Sequence, residues 1–196
     1  LQLIIGSTGD LFEHLEEQDV VTFTGSAATA RKLKNHPNII NRSIPFNAEA
    51  DSLNSAMLAP DVTPEHEEFN IFVKEVGREM TAKAGQKCTA IRRILVPKDR
   101  VDAVCDKLKE RLSKVTVGDP SMEGVRMGAL ASIDQLEDVK ANIQELLKTS
   151  ERVIGGDGSF RPTGDGTEKG AFIEPHLLLC RNPENGCGAH DIEAFG

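Results

Sequence analysis

The chain has 196 residues, of which 39% are hydrophobic and 28% charged, a balance typical of a globular protein with an apolar core. Its net charge of -8 and its aromatic content of 4%, all Phe, provide neither the basic field nor the stacking rings of a nucleic-acid-binding protein. It shows no membrane-length apolar run, no signal peptide and no disulfide-framework spacing among its four cysteines, so a reducing, cytoplasmic setting is predicted.

The first part of the chain alternates short apolar runs with helical segments. Strands are predicted at 1–5, 20–23 and 39–46, and helices near Leu11 and over 27–34. Strands that alternate with helices are typical of a parallel sheet, so this part predicts an α/β fold.

A longer helix is predicted from the sequence Thr63-Pro64-Glu65, because Thr is a good N-cap residue and Pro suits the first helical turn. Apolar residues then recur at helical spacing, and Gly85 is placed to end the helix. Those apolar residues are Phe69, Phe72, Val73, Val76 and Met80.

The remaining elements follow the same patterns. Helices are predicted at 99–114 and 134–148. Strands are predicted at 94–96, 152–155 and 172–179, and a Gly-rich surface loop at 155–170.

Cys88 has the sequence environment of a reactive thiol. It follows the predicted helix end and lies within a few residues of four basic side chains, Lys83, Lys87, Arg92 and Arg93. The thiolate is the nucleophilic form of cysteine, and nearby positive charge lowers a thiol pKa. The spacing therefore predicts a nucleophile, and leaves open a half-buried structural cysteine in a basic loop.

The sequence Thr24-Gly25-Ser26, the glycine turn, joins a predicted strand to a predicted helix. Unpaired N–H groups and the helix dipole favour an anion at such a helix start. Gly25 permits close backbone approach, and Ser26 can cap the helix or donate to a phosphate oxygen. A phosphate site and a capped turn without ligand are both open. A second phosphate-binding turn at residues 6–10 is less favoured, because the Asp10 carboxylate would repel an anion.

Glu49 follows the third predicted strand, among small residues. The carboxyl edge of a parallel sheet is where α/β folds bind ligands, so Glu49 is a candidate general base if burial raises its pKa. A solvated loop carboxylate is the alternative.

Two other patterns predict no site. Gly155-Gly156-Asp157-Gly158 is not followed by a helix, so it is not a dinucleotide-binding fingerprint. Two histidines and two cysteines lie close enough in sequence to suggest a zinc site, but they lack paired CxxC spacing, so no metal site is predicted. These residues are His176, Cys180, Cys187 and His190.

Five short segments together resemble the aldehyde dehydrogenase superfamily in order and spacing, over essentially the whole chain. They are Phe23-Thr24-Gly25-Ser26, Glu49, Gly85-Gln86-Lys87-Cys88, Glu174-Pro175 and Glu193-Ala194-Phe195-Gly196. Within the superfamily, residues 43–54 and 84–93 are similar to the dehydrogenase half of bifunctional ring-opening enzymes of bacterial phenylacetate degradation. In those enzymes an oxepin-CoA hydrolase domain follows the dehydrogenase, whose substrate is a 3-oxo-5,6-dehydrosuberyl-CoA semialdehyde.

The resemblance implies catalytic roles. Cys88 would be the nucleophile that attacks the aldehyde carbonyl, with its own N–H helping to hold the oxyanion. Hydride would leave for the nicotinamide, and a thioester would remain on Cys88. Glu49 would be the general base that activates water to hydrolyse it.

The resemblance also implies cofactor contacts. Gly25 and Ser26 would meet the pyrophosphate, with Thr24 near the nicotinamide. Glu193 would bind the nicotinamide ribose, and Phe195 would pack beside it. The cofactor would be NADP, with NAD as a second possibility.

An aldehyde dehydrogenase-like fold, with a parallel or mixed sheet and flanking helices, would be present as an internal fragment. Residues 1–50 would be the C-terminal part of a Rossmann-like cofactor-binding domain, and 51–196 the catalytic domain without its C-terminal end. The substrate would be a CoA-linked semialdehyde, and the full-length protein a homo-oligomer with a fused C-terminal hydratase-like domain. These residues alone are expected to be inactive, because an oxyanion-hole asparagine would lie upstream.

The sequence departs from the superfamily at two places. The usual Leu-Glu-Leu-Gly-Gly reads Ala48-Glu49-Ala50-Asp51-Ser52, and the Asn common five residues before the cysteine is Lys83. Two alternatives stay open: an acylating dehydrogenase, in which CoA resolves the thioester, and a noncatalytic nucleotide-binding or zinc-stabilised scaffold.

Overall fold

A computed structural model describes residues 2–156, 159–184 and 186–196. The chain divides into two compact units, Leu1–Asp51 and Ser52–Gly196, referred to below as unit 1 and unit 2. In its described part the fold mixes helices with short parallel and antiparallel strand pairs.

Unit 1 is built around one pair of parallel strands. A 3₁₀ turn, Leu11–His14, precedes strand β1, helices α1 and α2, and strand β2. The bounds are β1 Val21–Gly25, α1 Ala27–Lys34, α2 Pro37–Asn41 and β2 Phe46–Ala50. The register runs from Val21 opposite Phe46 to Gly25 opposite Ala50. The prediction of a strand, a turn and a helix around residues 21–34 is therefore confirmed.

Two strand predictions in unit 1 are wrong. Residues 2–5 form no strand, and Leu3 and Ile5 are 84% and 89% exposed. No strand in the described part of the chain pairs with them, and an apolar run becomes a strand only where its backbone groups find partners.

The run 39–46 was predicted as a strand but begins inside helix α2. Pro37 occupies the first helical turn, where its missing N–H costs nothing, and the His36 side chain accepts the Asn38 N–H as the cap. The strand itself starts only at Phe46.

In the described residues of unit 2 there are two further pairs of strands and three main helices. Strands β3, Asn54–Met57, and β4, Ile91–Leu95, are parallel, whereas β5, Glu151–Ile154, and β6, Leu177–Leu179, are antiparallel. The helices are α3 Glu67–Thr81, α4 Val101–Leu112 and α5 Ile133–Leu146. Short 3₁₀ turns lie at Ala82–Gly85, Lys98–Arg100, Thr167–Lys169 and Gly188–His190.

Two apolar clusters form the core of unit 2. The α3 and α4 faces meet in a cluster that includes Phe69, Val76 and Leu108, each 1% exposed. The α5 face packs in a second cluster that includes Val139 and Ala84. Ala84 lies three residues after α3 ends, so the second cluster holds the chain that leads toward Cys88.

Helix α3 begins later than predicted. Residues 61–66 form turns instead: the His66 N–H donates to the Thr63 carbonyl, and the Thr63 hydroxyl donates to Glu65 at 2.5 Å. His66 takes the N-cap position, and its ring Nδ1 accepts the Thr63 N–H at 3.0 Å.

The strand predicted at 172–179 is shorter, because Pro175 has no N–H to donate to a ladder. The loop after Gly155 contains a 3₁₀ turn, and positions 157 and 158 of the glycine-rich pattern lie outside the described residues. Among described residues, none of the helices has the length and apolar character needed to cross a bilayer.

Candidate active site

The chain reaches Cys88 through a left-handed turn after helix α3. Lys83, Ala84 and Gly85 have φ of 54°, 51° and 71°, three consecutive residues in a region that side chains disfavour. Gly85 is required twice over, since a Cβ there would also fall 2.7 Å from the Gly196 carbonyl carbon. Lys83 stands where the resemblance expects Asn, the residue that tolerates this region best after glycine.

Cys88 itself is exposed, on a turn closed by a hydrogen bond from the Ala90 N–H to the Lys87 carbonyl. Residues 86–90 are referred to below as the cysteine turn. Its Gln86 side chain is fixed at both ends of the amide: Nε2 donates to the Lys83 carbonyl at 3.2 Å, and Oε1 accepts the Ala131 N–H at 2.8 Å.

Ser52 and Asn54 hold the cysteine turn from the side of strand β3. The Ser52 hydroxyl and the Asn54 amide each donate to the Cys88 carbonyl oxygen at 2.6 Å. Asn54 also donates to the Ala90 carbonyl at 3.2 Å. The Cys88 peptide carbonyl is therefore fixed, while no acceptor among the described residues takes the Cys88 N–H. We call Ser52 and Asn54 the carbonyl clamp.

Three of the four basic side chains near Cys88 in sequence have other partners. Lys87 pairs with Glu79 at 2.5 Å, and both side chains are largely buried. Arg92 donates to the Gly85 carbonyl at 2.7 Å, and Arg93 donates to the carbonyls of Ala189 and His190. These cations hold chain segments together, so the sequence-based idea that they gather around the thiol finds no support in their contacts.

Glu193 and Phe195 lie beside the same turn, linked through Ser52 and Arg92. The Ser52 N–H donates to Glu193 Oε2 at 2.9 Å, and Arg92 Nε lies 3.5 Å from Glu193 Oε1. The Arg92 guanidinium also lies 5.4 Å from the Phe195 ring centroid, within cation–π distance.

The Arg92–Glu193 pair is almost fully buried, with side-chain exposures of 10% and 11%. Burial lowers the pKa of Arg92, and the nearby Glu193 carboxylate opposes that shift. Arg92 Nε and Glu193 Oε1 are buried without a hydrogen bond of good geometry. The carboxylate thus couples the C-terminal segment to Ser52, one residue of the carbonyl clamp.

In unit 1 the glycine turn has the predicted geometry. Ser26 caps α1, with its Oγ accepting the Thr29 N–H at 3.2 Å. A Cβ on Gly25 would fall 2.6 Å from the end of the Phe23 ring, so a side chain there would have to displace that ring. The Ala27 N–H, at the first position of α1, donates to Asp51 Oδ1 at 2.8 Å.

Glu49 lies within strand β2 and not after a strand, which corrects the sequence-based placement. The register sets it opposite Thr24, so two candidate residues of unit 1 are neighbours across the strand pair. Glu49 is exposed, as are the two residues before it, so the buried position expected of a general base is not found.

The residues weighed as zinc ligands have other contacts. His176 Nδ1 lies 2.8 Å from the Glu174 carbonyl, and His190 Nε2 lies 2.9 Å from the Pro183 carbonyl. Within residues 2–156, 159–184 and 186–196, no group of three His, Cys, Asp or Glu side chains is arranged to hold a metal ion.

A cavity of about 410 Å³ lies in unit 2 between β4, α4 and β6, and Cys88 is not among its lining residues. The lining is mainly aliphatic and includes Ile94, Leu95, Val104, Leu108, Leu177 and Leu179. The candidate site is therefore the cysteine turn with its neighbours, not this cavity.

Sequence reasoning did not identify the roles of Ser52, Asn54, Asp51 and Glu79. A signal was present for two of them, because Asp51 and Ser52 replace the glycines that the resemblance expects after Glu49. A polar side chain at a position that favours glycine indicates a specific contact. Asn54 and Glu79 carried no comparable signal.

Comparison with known proteins gives a consistent picture. The model of the aldehyde dehydrogenase family matches residues 1–196. The chain is 44% identical over 196 residues to 3,4-dehydroadipyl-CoA semialdehyde dehydrogenase of Aromatoleum evansii, covering all of this chain and 38% of that protein. It therefore spans well under half the length of that relative.

Solved structures share the fold. Betaine aldehyde dehydrogenase of Staphylococcus aureus in complex with NAD⁺ matches 91% of this chain and 33% of its own, with a TM-score of 0.76 and 24% identity. A mutant of aldehyde dehydrogenase C of Pseudomonas syringae, in complex with NAD⁺ and octanal, matches 91% and 34%, with a TM-score of 0.74 and 22% identity. At these identities the likeness concerns the fold.

Proposed function

This chain belongs to the aldehyde dehydrogenase family, and from that premise we propose that the full-length protein oxidises an aldehyde to a carboxylic acid through a thioester on Cys88. The observation that carries the proposal is the state of Cys88 and of the two peptide units on either side of it. Its thiol is exposed, its carbonyl is fixed by the carbonyl clamp, and its N–H is left without an acceptor among the described residues.

That arrangement suits attack on a carbonyl. When the Cys88 sulfur bonds to the aldehyde carbon, negative charge develops on the aldehyde oxygen. The Cys88 N–H is an available donor for that charge, and its peptide unit is held by the Ala90 N–H on the Lys87 carbonyl. The thiol proton passes to solvent, to which Cys88 is exposed, and a hydride must then leave the same carbon to give the thioester. A nicotinamide cofactor, when bound, would supply the acceptor for that hydride.

The residues of the glycine turn fit such a cofactor. Gly25 leaves the backbone open to close approach, Ser26 is fixed at the start of α1, and Thr24 lies beside Glu49 across the strand pair. We assign Thr24, Gly25 and Ser26 to the cofactor in unit 1, and Glu193 and Phe195 to it in unit 2. NADP is the proposed cofactor, with NAD as the second possibility.

Glu49 is the proposed base of the second half-reaction. It would take a proton from the water that attacks the thioester, releasing the acid and restoring the Cys88 thiol. In the rival acylating reaction, CoA would resolve the thioester and no base for water would be needed. Changing Glu49 to Gln distinguishes the two: acid release should fall steeply in the hydrolytic enzyme, whereas CoA-dependent formation of an acyl-CoA should be unaffected in the acylating one.

The proposed substrate is a CoA-linked semialdehyde. The support is the 44% identity to a protein named as a dehydrogenase of such a compound, together with the resemblance of residues 43–54 and 84–93 to phenylacetate-degradation enzymes. The same resemblance supports a homo-oligomer with a fused C-terminal hydratase-like domain. Gel filtration and sequencing of the full-length gene test both.

Replacement of Cys88 tests the proposal as a whole. In the full-length protein, Cys88→Ala should lower aldehyde-dependent reduction of NADP⁺ by at least about a thousandfold while cofactor binding persists. Cys105→Ala, which removes a thiol on helix α4 outside the cysteine turn, is the matched control. Turnover that survives Cys88→Ala would refute the proposal.

Alkylation separates the enzyme from a noncatalytic scaffold. In an enzyme, iodoacetamide should label Cys88 faster than the other thiols, and NADP⁺ should change that rate. In a scaffold Cys88 would react no faster than an ordinary exposed cysteine, and metal analysis would identify a zinc-stabilised form.

A further inference from the structure

The start of helix α1 already carries a negative charge supplied by the chain itself. Asp51 Oδ1 accepts the Ala27 N–H at 2.8 Å, at the helix end where the proposed function puts a cofactor phosphate. Helix α1 has no acidic residue in its own first turn, so this carboxylate comes from outside the helix, 24 residues along the chain.

The strand pair positions Asp51 there. The β1–β2 register ends with Gly25 opposite Ala50, and the next N–H, that of Asp51, donates to the Gly25 carbonyl at 3.4 Å. Asp51 then has φ of 49°, in the left-handed region, where aspartate is accepted more readily than most side chains. This backbone turn directs the carboxylate onto the helix start.

We infer that Asp51 is a residue that tunes cofactor affinity, because its carboxylate occupies a phosphate-binding N–H and repels a dinucleotide phosphate placed at α1. The inference rests on the proposed function, which assigns the glycine turn to the cofactor. For the cofactor to bind tightly, the Asp51 carboxylate has to release the Ala27 N–H, or the phosphate has to bind next to that negative charge.

The helix start is left with few donors for a phosphate. The Thr29 N–H is taken by Ser26 Oγ and the Ala27 N–H by Asp51, so two amides of the first turn are already bonded within the chain. A carboxylate and a phosphate at neighbouring positions repel, and the repulsion is moderated because Asp51 is exposed to solvent and salt. A change of about three- to tenfold in cofactor affinity is the expected scale.

Other roles for Asp51 predict a different change in cofactor affinity when its charge is removed. If Asp51 were instead a direct cofactor ligand, for example as acceptor for a ribose hydroxyl, removal of its charge would weaken binding. If Asp51 only caps α1, removal of its charge would leave binding unchanged and slightly loosen the helix. Competition alone predicts tighter binding.

Asp51→Asn tests the inference in the full-length protein, because asparagine keeps an oxygen for the Ala27 N–H, tolerates positive φ and removes only the charge. Calorimetric titration with NADP⁺ and NAD⁺ should give dissociation constants about three- to tenfold lower than wild type at low salt, with the difference shrinking as salt is raised. Asp51→Gly should tighten binding in the same direction.

Asp19→Asn is the matched control, since Asp19 is also an exposed aspartate of unit 1 that accepts a backbone N–H, from Glu16 at 2.8 Å. It should leave both constants unchanged. Unchanged or weaker binding in Asp51→Asn, with normal binding by wild type, would overturn the inference and leave the proposed function intact. Absence of binding by wild type and variant alike would overturn both.

Discussion

The two units hold their candidate residues by different means. In unit 1 the glycine turn is set by the strand register and by a cap from Ser26 to Thr29, three residues away. In unit 2 the cysteine turn is set by side chains from distant positions, with Ser52 and Asn54 reaching the Cys88 carbonyl across more than thirty residues of chain. The first site is set by strand register and by side chains at the ends of the two strands, whereas the second is set by side chains more than thirty residues away in sequence.

This difference says where each site is vulnerable. A turn set by strand register is disturbed mainly by added bulk or charge at the turn, whereas a peptide held by distant side-chain donors fails when one donor is lost. The four predictions below, all for the full-length protein, test that contrast in descending order of expected effect.

The carbonyl clamp should be the most sensitive part. Asn54→Ala removes the donor to both the Cys88 and Ala90 carbonyls, and displacement of a nucleophile by a fraction of an ångström to one ångström costs about a hundredfold in rate. We expect kcat to fall about a hundredfold with little change in cofactor affinity. Ser55→Ala, on the same strand with only a 3.5 Å contact to the Leu53 carbonyl, should be near wild type. Equal activity of both variants would show that the clamp does not position Cys88.

The buried Arg92–Glu193 pair should be next. Glu193→Gln keeps an oxygen for the Ser52 N–H but leaves Arg92 buried without its counter-charge. The free energy of unfolding measured in urea should fall by about 2 kcal/mol. Glu151→Gln breaks an exposed pair with Arg181 at 3.2 Å and should cost under about 1 kcal/mol. The contrast fails if the two losses are alike.

In unit 1, bulk at the glycine turn should weaken the cofactor site. A Cβ at Gly25 meets the Phe23 ring at 2.6 Å, so Gly25→Ala must displace the ring or the backbone. We expect the dissociation constant for NADP⁺ to rise about tenfold, or about 1.4 kcal/mol. If the ring is the only obstacle, adding Phe23→Leu to Gly25→Ala should restore binding. If binding is not restored, the added methyl group itself keeps the phosphate from approaching the backbone.

The smallest effect should be acid sensitivity from His176. Burial lowers the pKa of His176, so in the folded chain it stays neutral where an unfolded histidine, with its ordinary pKa near 6.5, is already protonated. Protonation therefore favours the unfolded state as pH falls below about 6.5. The free energy of unfolding measured in urea should fall less between pH 7 and pH 5 in His176→Gln than in wild type. In His190→Gln, which changes an exposed ring, it should fall as it does in wild type.

Sequence reasoning worked best where local signals decide the structure. Ser26 before an apolar-patterned helix identified α1 with its correct bounds, and the spacing from Phe69 to Met80 identified α3. The start of α3 was misjudged because Thr63 and His66 close a turn of their own, in which the His66 N–H donates to the Thr63 carbonyl and the Thr63 N–H donates to the His66 ring. The strand expected at 1–5 failed because its formation depends on a partner that local sequence does not reveal.

The candidate site was only half accessible to prediction. Cys88 and the glycine turn carry recognisable residue patterns, and the resemblance to a family joined them. The contacts that fix them were not predictable. In the sequence Lys87 and Arg92 are simply two positive charges near Cys88, and nothing in it indicates that Lys87 pairs with Glu79 and Arg92 with Glu193. Long-range pairing of this kind depends on tertiary packing, and no periodicity encodes it.

The central claim, that Cys88 carries the acyl group, is tested most directly by mass spectrometry, of the intact protein and of its peptides after digestion, on full-length Glu49→Gln mixed with an aldehyde and NADP⁺. The account predicts an adduct on the Cys88 peptide whose mass is that of the aldehyde less two hydrogens, formed together with one equivalent of NADPH and absent without NADP⁺. An adduct on another residue, or NADPH formation with Cys88 unmodified throughout, would contradict it.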